Sequence, residues 1–503
     1  MNNPIDDTLA LIKASQANAS ADILAKNFTQ PGSATTGLQA YDLEAPSKKI
    51  VPIMTPLRNR IPRRLGGFGT QANWKAITGI NSGGARAGVS EGKRGGQIAH
   101  TMAEYLAAYR GIGLEKSVTF EADYAARGFE DVKALAVQHT LKATMIAEEV
   151  IILGGNTSNA LGTTPTPTLS ASGSGATLPA LTYSVICVAL GLQAYWDAAG
   201  LNNGATAQAF AAATSIIPGQ ITRTNADGST DTFGGGSAQK SAAATQAVTL
   251  GQTLFASVAA VRGAVGYAWF TGAAGAEKLE KISTINSVTF TAPLVGTGQA
   301  ATTLTGVDSS TSSLEFDGLL TIASKASLNS YYVSLATGTA GTGTTLTGAG
   351  GRIAEIDTAL ASFFSSYRMC PDEILMSFVQ FQKIGALVLG ATNPGIMFTV
   401  DVNSANKELV AGRNVGKYMS PINGKLIDLV VHPNMPPGTM LLNTWTVPEY
   451  VDGVGDLVRI RLRQEYYQIE WPLRTRKYEY GVYADEVLQH FFPPAMGIIT
   501  NIA

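Results

Sequence analysis

Residues 129–156 read FEDVKALAVQHTLKATMIAEEVIILGGN, and this stretch decides the fold. Side chains suited to one buried face recur in it at spacings of three and four residues, which is the period of an α-helix. The recurring positions are Phe129, Val132, Ala136, His139, Ala143, Ile146, Val150 and Leu153. Gly154 and Gly155 follow directly, as is typical after a helix C-terminus. The sequence therefore predicts one helix over residues 129–153, about 37 Å long at a rise of 1.5 Å per residue.

The chain before this helix is irregular. Residues 1–45 have too little apolar surface for a core of their own and are predicted to form an arm. Residues 48–64 follow with the sequence KKIVPIMTPLRNRIPRR, whose three prolines favour an extended segment that lies against another surface. Residues 65–119 begin with a Gly-rich stretch, and they are predicted to form a long loop or two-stranded excursion rather than a domain.

The chain after the helix changes composition twice. Residues 156–350 are rich in Thr, Ala, Gly and Ser, and the segments starting at Val261, Ser283 and Ala301 alternate as short antiparallel strands do. We interpret this block as a separable β-rich insertion, a small β-sandwich between two linkers. Beyond Gly351 the sequence predicts a helix in RIAEIDTALASFFSSYRM, a second helix opening at Pro371, and a hairpin turning at Asn423-Gly424.

The composition argues against several classes of function. The 503 residues carry 36 Lys plus Arg against 37 Asp plus Glu, so there is no basic excess to indicate nucleic-acid binding, and only 15% of residues are charged. The four histidines share no ligand spacing and no hydrolase motif occurs, so no catalytic, cofactor or metal site is predicted. Cys187 and Cys370 are interpreted as buried small apolar residues. Neither a signal sequence nor a membrane span is found, which indicates synthesis in the cytoplasm.

The order of these parts resembles the major capsid proteins of tailed bacteriophages, which have the Hong Kong 97 type of capsid fold. The resemblance is carried by the proline- and arginine-rich arm, the Gly-rich extended loop and the helix ending AEEVIILGGN. It is also carried by the C-terminal EYYQIEWPLRTRKYEYGVYADEVLQHFFPPAMGIITNI, which is similar to capsid tails that run along the shell. It covers about 300 residues, because the central block fits an inserted module.

The resemblance implies an α+β fold and a division of the chain into parts. These are an N-terminal arm (1–64), an extended loop (65–119), a peripheral domain with the spine helix (120–155 and 440–503), the insertion (156–350) and an axial domain (351–439). It further implies a structural, non-enzymatic subunit that assembles into hexamers and pentamers of an icosahedral shell. The implied partners are a scaffolding protein, a portal, a possible decoration protein and, by non-specific proximity, packaged DNA. The implied locations are the virion and, during assembly, the host cytoplasm. An encapsulin-like compartment or another virion protein, such as a portal, tail or decoration protein, stays open as an alternative.

Within this framework certain side chains are candidates for contacts between subunits. They are Arg58, Arg60, Arg63, Arg64, Trp74, Trp471, Phe491 and Phe492. The basic group at 48–64 can contact DNA phosphates or acidic residues of an adjacent subunit, and the second interpretation is favoured. Glu148 and Glu149 point about 100° apart on a helix, so we expect salt bridges at the surface or between subunits rather than a shared active site.

Overall fold

The computed structural model describes residues 9–10, 13, 45–80, 86–199, 216–304, 306–389, 399–400, 409–410, 415–447 and 454–503. Most of the predicted arm up to residue 44 therefore lies outside the described residues. Contacts divide the chain into two units, residues 1–51 with 121–132, and residues 52–120 with 133–503. In the first unit the guanidinium of Arg127 lies 4.1 Å from the ring centroid of Tyr124. All the strands described below belong to the second unit.

The helices with described bounds are short apart from one. They are α1 (Pro56–Arg60), α2 (Phe120–Ala125), α3 (Val132–Gly154), α4 (Leu192–Ala199), α5 (Leu319–Ser324), α6 (Ala354–Tyr367) and α7 (Phe378–Leu389). The predicted long helix is confirmed as α3, which begins at Val132 rather than Phe129 and ends at Gly154. The helix predicted in RIAEIDTALASFFSSYRM is confirmed as α6. None of the described helices combines the length and the apolar character needed to cross a membrane.

The strands are numbered in chain order. They are β1 (Arg63–Arg64), β2 (Gln71–Ile80), β3 (His100–Ala108), β4 (Arg110–Thr119), β5 (Thr168–Ser172), β6 (Leu181–Leu190), β7 (Gln220–Thr224), β8 (Thr230–Gly234), β9 (Ala244–Val248), β10 (Thr253–Ser257), β11 (Gly266–Gly272), β12 (Lys278–Ser283), β13 (Ser287–Phe290), β14 (Tyr331–Ser334), β15 (Gly348–Ala349), β16 (Arg352–Ile353), β17 (Glu373–Met376), β18 (Thr399–Val400), β19 (Leu409–Val410), β20 (Lys417–Met419), β21 (Leu426–Val431), β22 (Met440–Asn443), β23 (Val458–Glu470), β24 (Lys477–His490) and β25 (Gly497–Thr500).

A four-stranded sheet lies against the C-terminal half of α3. Its order is β1–β23–β24–β4, with β1 parallel to β23 and the other pairs antiparallel. Ile460 and Leu462 of β23 share a hydrophobic cluster with Ile152 and Leu153 of α3, because alternate side chains of the strand point to that face. Since β4 belongs to this sheet, the predicted excursion over 65–119 is too long and ends before Arg110.

A six-stranded sheet forms the second layer of the core. Its order is β14–β25–β22–β17–β21–β20. Ile374 and Met376 of β17 cluster with Phe363 of α6, whereas Leu375 belongs to the main cluster on the other face. Both faces of β17 are therefore buried, and an apolar run buried on both faces looks the same in a helix and in a strand. The helix predicted to open at Pro371 is consequently wrong: β17 comes first, and α7 begins at Phe378.

The predicted domain boundaries do not follow this sheet. The sheet takes β22 and β25 from the stretch assigned to the peripheral domain, and β14 from the stretch assigned to the insertion. Long-range strand pairing causes these errors, because it leaves no local signal in the sequence. The hairpin at Asn423-Gly424 is confirmed as β20–β21, with Gly424 at φ +68.

The central block contains two small sheets of three and four strands, besides the two-stranded β7–β8 pair. One has the order β13–β10–β5 and the other β12–β11–β6–β9. Val185, Leu254, Trp269 and Phe290 belong to one hydrophobic cluster that both sheets supply. Of the three segments predicted as strands, the first two contain β11 and β13, but Ala301–Thr303 is a 3-10 turn.

The block is not separable, although its composition predicts a separable insertion. Ile186 of β6 and Phe270 of β11 point to the opposite face of the β12–β11–β6–β9 sheet. Both belong to the main cluster together with Leu153 of α3. At the C-terminal end of the block, β14 pairs in parallel with β25. Cutting the block out would therefore remove part of the main core and an edge strand of the six-stranded sheet.

Candidate functional site

The arginine-rich segment contains a short helix where an extended segment was predicted. Proline is tolerated at a first helical position, and α1 begins at Pro56. The side chain of Thr55, which precedes it, makes no capping hydrogen bond. The carboxylate of Glu149 in α3 caps the helix instead, because its two oxygens accept the backbone N–H groups of Leu57 at 2.9 Å and Arg58 at 2.7 Å. The end of α3 thus holds the arginine segment by its backbone.

The neighbouring Glu148 holds the same segment by its side chains. Its carboxylate accepts the Nε–H of Arg58 at 2.8 Å, pairs with Arg63, and accepts the hydroxyl of Tyr466. Arg63 also reaches Glu486 of β24, with 3.1 Å between nitrogen and oxygen. We call Arg58, Arg63, Glu148, Glu149 and Glu486 the buried charge cluster. It joins the arginine-rich segment (residues 48–64), α3 and the β1–β23–β24–β4 sheet.

A histidine provides a third hydrogen bond to the carboxylate of Glu149. His432 lies fully buried just after β21, and its Nδ1 accepts the N–H of Asn434 at 3.1 Å. This bond leaves Nε2 to donate to Glu149 at 2.7 Å, so a neutral imidazole satisfies both contacts. The three donors to Glu149 come from α1 and from the end of β21, which fixes both segments against α3.

Burial governs the electrostatics of the cluster. The three carboxylates are fully buried. Burial raises the pKa of Glu486, and the positive charge of Arg63 opposes that rise. The expectation that Glu148 and Glu149 form surface or inter-subunit salt bridges is wrong, since both pair inside the chain. The sequence did carry one signal for this burial. Glu148 and Glu149 lie in the most apolar turns of α3, where charged side chains are expected to be buried together with partners.

The four candidate arginines lie in different environments. Arg58 and Arg63 direct their charges into the buried cluster of their own chain rather than outward. Arg60 is half exposed, lies 3.3 Å from a carboxylate oxygen of Glu373 and stacks over Trp445 at 5.1 Å. Arg64 is exposed. Only Arg60 and Arg64 therefore remain available for contacts with another molecule.

The aromatic candidates gather mainly at the base of the β2–β3 hairpin. Trp74 donates its indole N–H to the carbonyl of His490 at 3.2 Å, and its ring lies 6.5 Å from that of Phe491. Phe492 stands edge-on to Tyr367 at 5.3 Å. Trp471 lies elsewhere and is 38% exposed, so it is not a core residue. The structure thus brings together Trp74 and Phe491 but not Trp471.

Beyond its base, the hairpin offers one uncovered face. Ile77, Met102 and Leu106 are exposed on the face opposite Trp74, and Ile77 and Met102 are direct cross-strand partners. Leu106 is 68% exposed. Ile77 and Met102 lie side by side, and Leu106 lies beyond the Lys75–Glu104 pair on the same face. Exposed apolar side chains on a ribbon two strands wide are typical of a surface that another molecule can cover.

No three His, Cys, Asp or Glu side chains among the described residues are grouped so that they could hold a metal ion. Cys187 and Cys370 are free and buried, as predicted. The cluster and the hairpin position chain segments and present a surface.

One titratable group beside α3 gives a pH prediction. The carboxylate of Glu315 accepts the N–H of Asn156 at 3.3 Å. Burial raises the pKa of Glu315 from 4.5 to about 7, opposed by that N–H and assisted by the charge of Asp197. The folded chain therefore holds this proton more tightly than the unfolded chain, so the contribution of Glu315 to stability is greatest below pH 4.5 and falls as the pH rises through about 7. The slope is at most about 1.4 kcal/mol per pH unit.

We expect Glu315→Gln to flatten this part of the stability profile. The measurement is the free energy of unfolding in urea at several values between pH 5 and pH 8, in the variant and in the unaltered chain. His490 titrates in the opposite sense, because burial lowers its pKa to about 3 and its contribution is lost as the pH falls below 6.5. The two profiles should therefore differ by the Glu315 slope alone, and identical slopes would contradict the assignment.

Comparison with known proteins gives structural neighbours only. No protein-family model matches the sequence, and no curated protein matches it. The chain is similar to the capsid of the native GTA particle, with 8% identity over 93% of this chain and 96% of that chain at a TM-score of 0.40. It is similar to the capsid of Myoviridae phage XM1, with 10% identity over 92% and 97% at a TM-score of 0.37. It is also similar to the holo-SrpI encapsulin complex of Synechococcus elongatus PCC 7942, with 8% identity over 91% and 92% at a TM-score of 0.36.

Two capsids and one encapsulin are thus among the structures to which the chain is similar. At identities of 8–10% the alignments say nothing about function.

Proposed function

We propose that this chain is the major capsid protein of a tailed bacteriophage, a non-enzymatic subunit that assembles into the icosahedral head shell around double-stranded DNA. The observation that carries the proposal is the uncovered apolar face of the β2–β3 hairpin. A two-stranded ribbon is marginally stable by itself, and covering Ile77, Met102 and Leu106 would stabilise it. A second copy of the chain can supply that cover in every subunit of a shell.

The fold supports a division of labour within the subunit. We propose that residues 65–109 overlap a neighbouring subunit and that the four-stranded sheet with α3 forms a peripheral domain. The six-stranded sheet with α6 would form the axial domain near the symmetry axes. The two small sheets between residues 156 and 330 would form a β-rich insertion, a sandwich that shares its inner face with the main core. The buried charge cluster supports this division, because it fixes the arginine segment on α3.

The proposed partners follow from the same role. Copies of the chain would form hexamers and pentamers, aided by a scaffolding protein and joined by a portal and possibly a decoration protein. Packaged DNA would lie near the inner surface without specific contacts. The protein would assemble in the host cytoplasm and remain in the virion.

Electron microscopy of the protein expressed alone and with a scaffolding protein tests the proposal. Closed icosahedral particles are the expected result. Particles that enclose a specific protein and lack DNA after infection would favour an encapsulin-like compartment. Rings or tubes under all conditions would favour another virion protein.

Leu106→Asp tests the surface that carries the proposal. A carboxylate in a buried apolar contact costs several kcal/mol, so we expect particle yield on a sucrose gradient to fall at least about tenfold. The unfolding free energy of the unassembled subunit should change by less than about 0.5 kcal/mol, because Leu106 is exposed there. Leu250→Asp, the same change at an exposed residue of the two-sheet region, is the matched control. Equal yields from both variants would show that the hairpin face is not an assembly surface.

A further inference from the structure

Four arginine side chains lie together on one face of the four-stranded sheet. Arg459, Arg461 and Arg463 alternate with buried apolar residues of β23 and so point to the other face of the strand. On that face the neighbouring β24 places the buried side chains of Val487 and Gln489. Arg64 is the register partner of Arg461 across the parallel β1–β23 pair, so its side chain lies on the same face. We call Arg64, Arg459, Arg461 and Arg463 the arginine row.

The positive charge of the row is only partly compensated. Arg463 pairs with Asp485 at 2.9 Å, but no ion pair within the described part of the chain involves the other three. Burial lowers the pKa of Arg459, and the charges of Arg461 and Arg64 lower it further, against a smaller opposing effect of Asp456. The Nε of Arg461 is buried without a hydrogen-bond partner. Like charges on neighbouring strands repel, so a carboxylate from outside would stabilise this face.

Apolar side chains border the row. The carbonyl of Gly66 accepts a hydrogen bond from Arg461 at 3.1 Å, and that of Gly69 accepts one from Arg463 at 2.9 Å. These bonds hold residues 65–69 beside the row, where Phe68 is 81% exposed. The surface is therefore cationic with an apolar margin.

The uncovered face of the hairpin has the complementary character. Glu104 lies among its apolar side chains and its side chain is 59% exposed; within the described part of the chain it forms one ion pair, with Lys75 at 3.6 Å. An exposed pair at that distance contributes little, so the carboxylate can exchange partners at small cost. One surface thus combines apolar area with cations, and the other combines apolar area with an anion.

We infer that the arginine row receives the hairpin of a second copy, whose Glu104 pairs with Arg64 and Arg461. The inference rests on the proposed function and names the surface that the hairpin covers. A second copy suits the row better than DNA, because the chain has 36 basic and 37 acidic residues and so carries the complement of its own basic patch. A guanidinium also binds a carboxylate in a fixed two-point geometry, which specifies one register between copies.

Charge reversal tests the pairing. Arg64→Glu and Glu104→Lys should each lower particle yield at least about tenfold, because each places like charges face to face. The double variant restores the opposite charges, and its yield should return to within about threefold of the unaltered chain. Glu91→Lys makes the same charge change at the exposed turn of the same hairpin and is the matched control, with an unchanged yield. Thermal unfolding of each unassembled subunit verifies that the variants fold.

The outcomes separate the inference from the proposed function. Normal particles from the unaltered chain, with two defective single variants and no recovery in the double variant, would overturn the pairing alone. Normal particles from both single variants would overturn it as well, and a reduced DNA content in those particles would assign the row to DNA. Absence of particles from the unaltered chain under every condition would overturn the proposed function and the inference with it.

Discussion

Glu149→Gln should lower the free energy of unfolding of the unassembled subunit by roughly 3–5 kcal/mol, the usual cost of breaking a buried charged contact. The carboxylate receives three donors, the N–H groups of Leu57 and Arg58 and the Nε2–H of His432. An amide at this position turns its own N–H donors toward one of them. At least one buried donor then loses its acceptor, and α1 loses one of the two hydrogen bonds from its backbone to Glu149.

Urea unfolding measures the change in the free energy of unfolding. Digestion with trypsin shows which segment of the chain is released. Cleavage after Arg58, Arg60, Arg63 or Arg64 should speed up in the variant, because the segment is released from α3. Glu104→Gln is the matched control, since Glu104 is exposed and its removal should cost less than about 0.5 kcal/mol. A variant that keeps both its stability and its resistance to trypsin would show that α3 does not hold the arginine segment.

The sequence predicts those features of the fold that depend on near neighbours. The helix α3 was predicted almost to its ends, because its period and its terminal Gly154-Gly155 are local signals. The hairpin at Asn423-Gly424 was predicted for the same reason. The buried charge cluster was not predicted, since Arg63 and Glu486 are 423 positions apart in the chain.

The errors have one physical cause in common. Composition suggested a separable central block, but β14 pairs with β25 and Phe270 enters the main core. Basic residues suggested contacts with other molecules, but Arg58 and Arg63 meet acids that α3 and β24 supply. In each case a tertiary partner distant in sequence decided the role of a residue.

The second large loss of stability is expected from substitution of a buried tryptophan. Trp269 is fully buried, whereas Trp471 is partly exposed and serves as the comparison. Trp269 of β11 lies within the cluster shared by the two small sheets, and its indole N–H donates to the hydroxyl of Ser283 at 2.8 Å. Trp269→Ala leaves a large cavity, while the hydroxyl of Ser283 still donates to the carbonyl of Ile285 at 2.6 Å, so we expect the cavity to cost roughly 3–5 kcal/mol in the free energy of unfolding. Trp471→Ala should cost less than about 1.5 kcal/mol in the same measurement, because its ring is 38% exposed.

The pair of variants also decides whether Trp471 contacts a neighbouring subunit. Urea unfolding of the unassembled subunits measures how much each substitution lowers the free energy of unfolding. Particle yield on a sucrose gradient measures how much each substitution impairs assembly. If Trp471 is a contact between subunits, Trp471→Ala lowers the yield while leaving the subunit nearly as stable as before, and a normal yield would remove it from the assembly surface. Because Trp269 packs between two sheets of one chain, its loss should act through folding alone. Equal unfolding energies for the two variants would contradict the two-sheet core that β6, β10, β11 and β13 enclose.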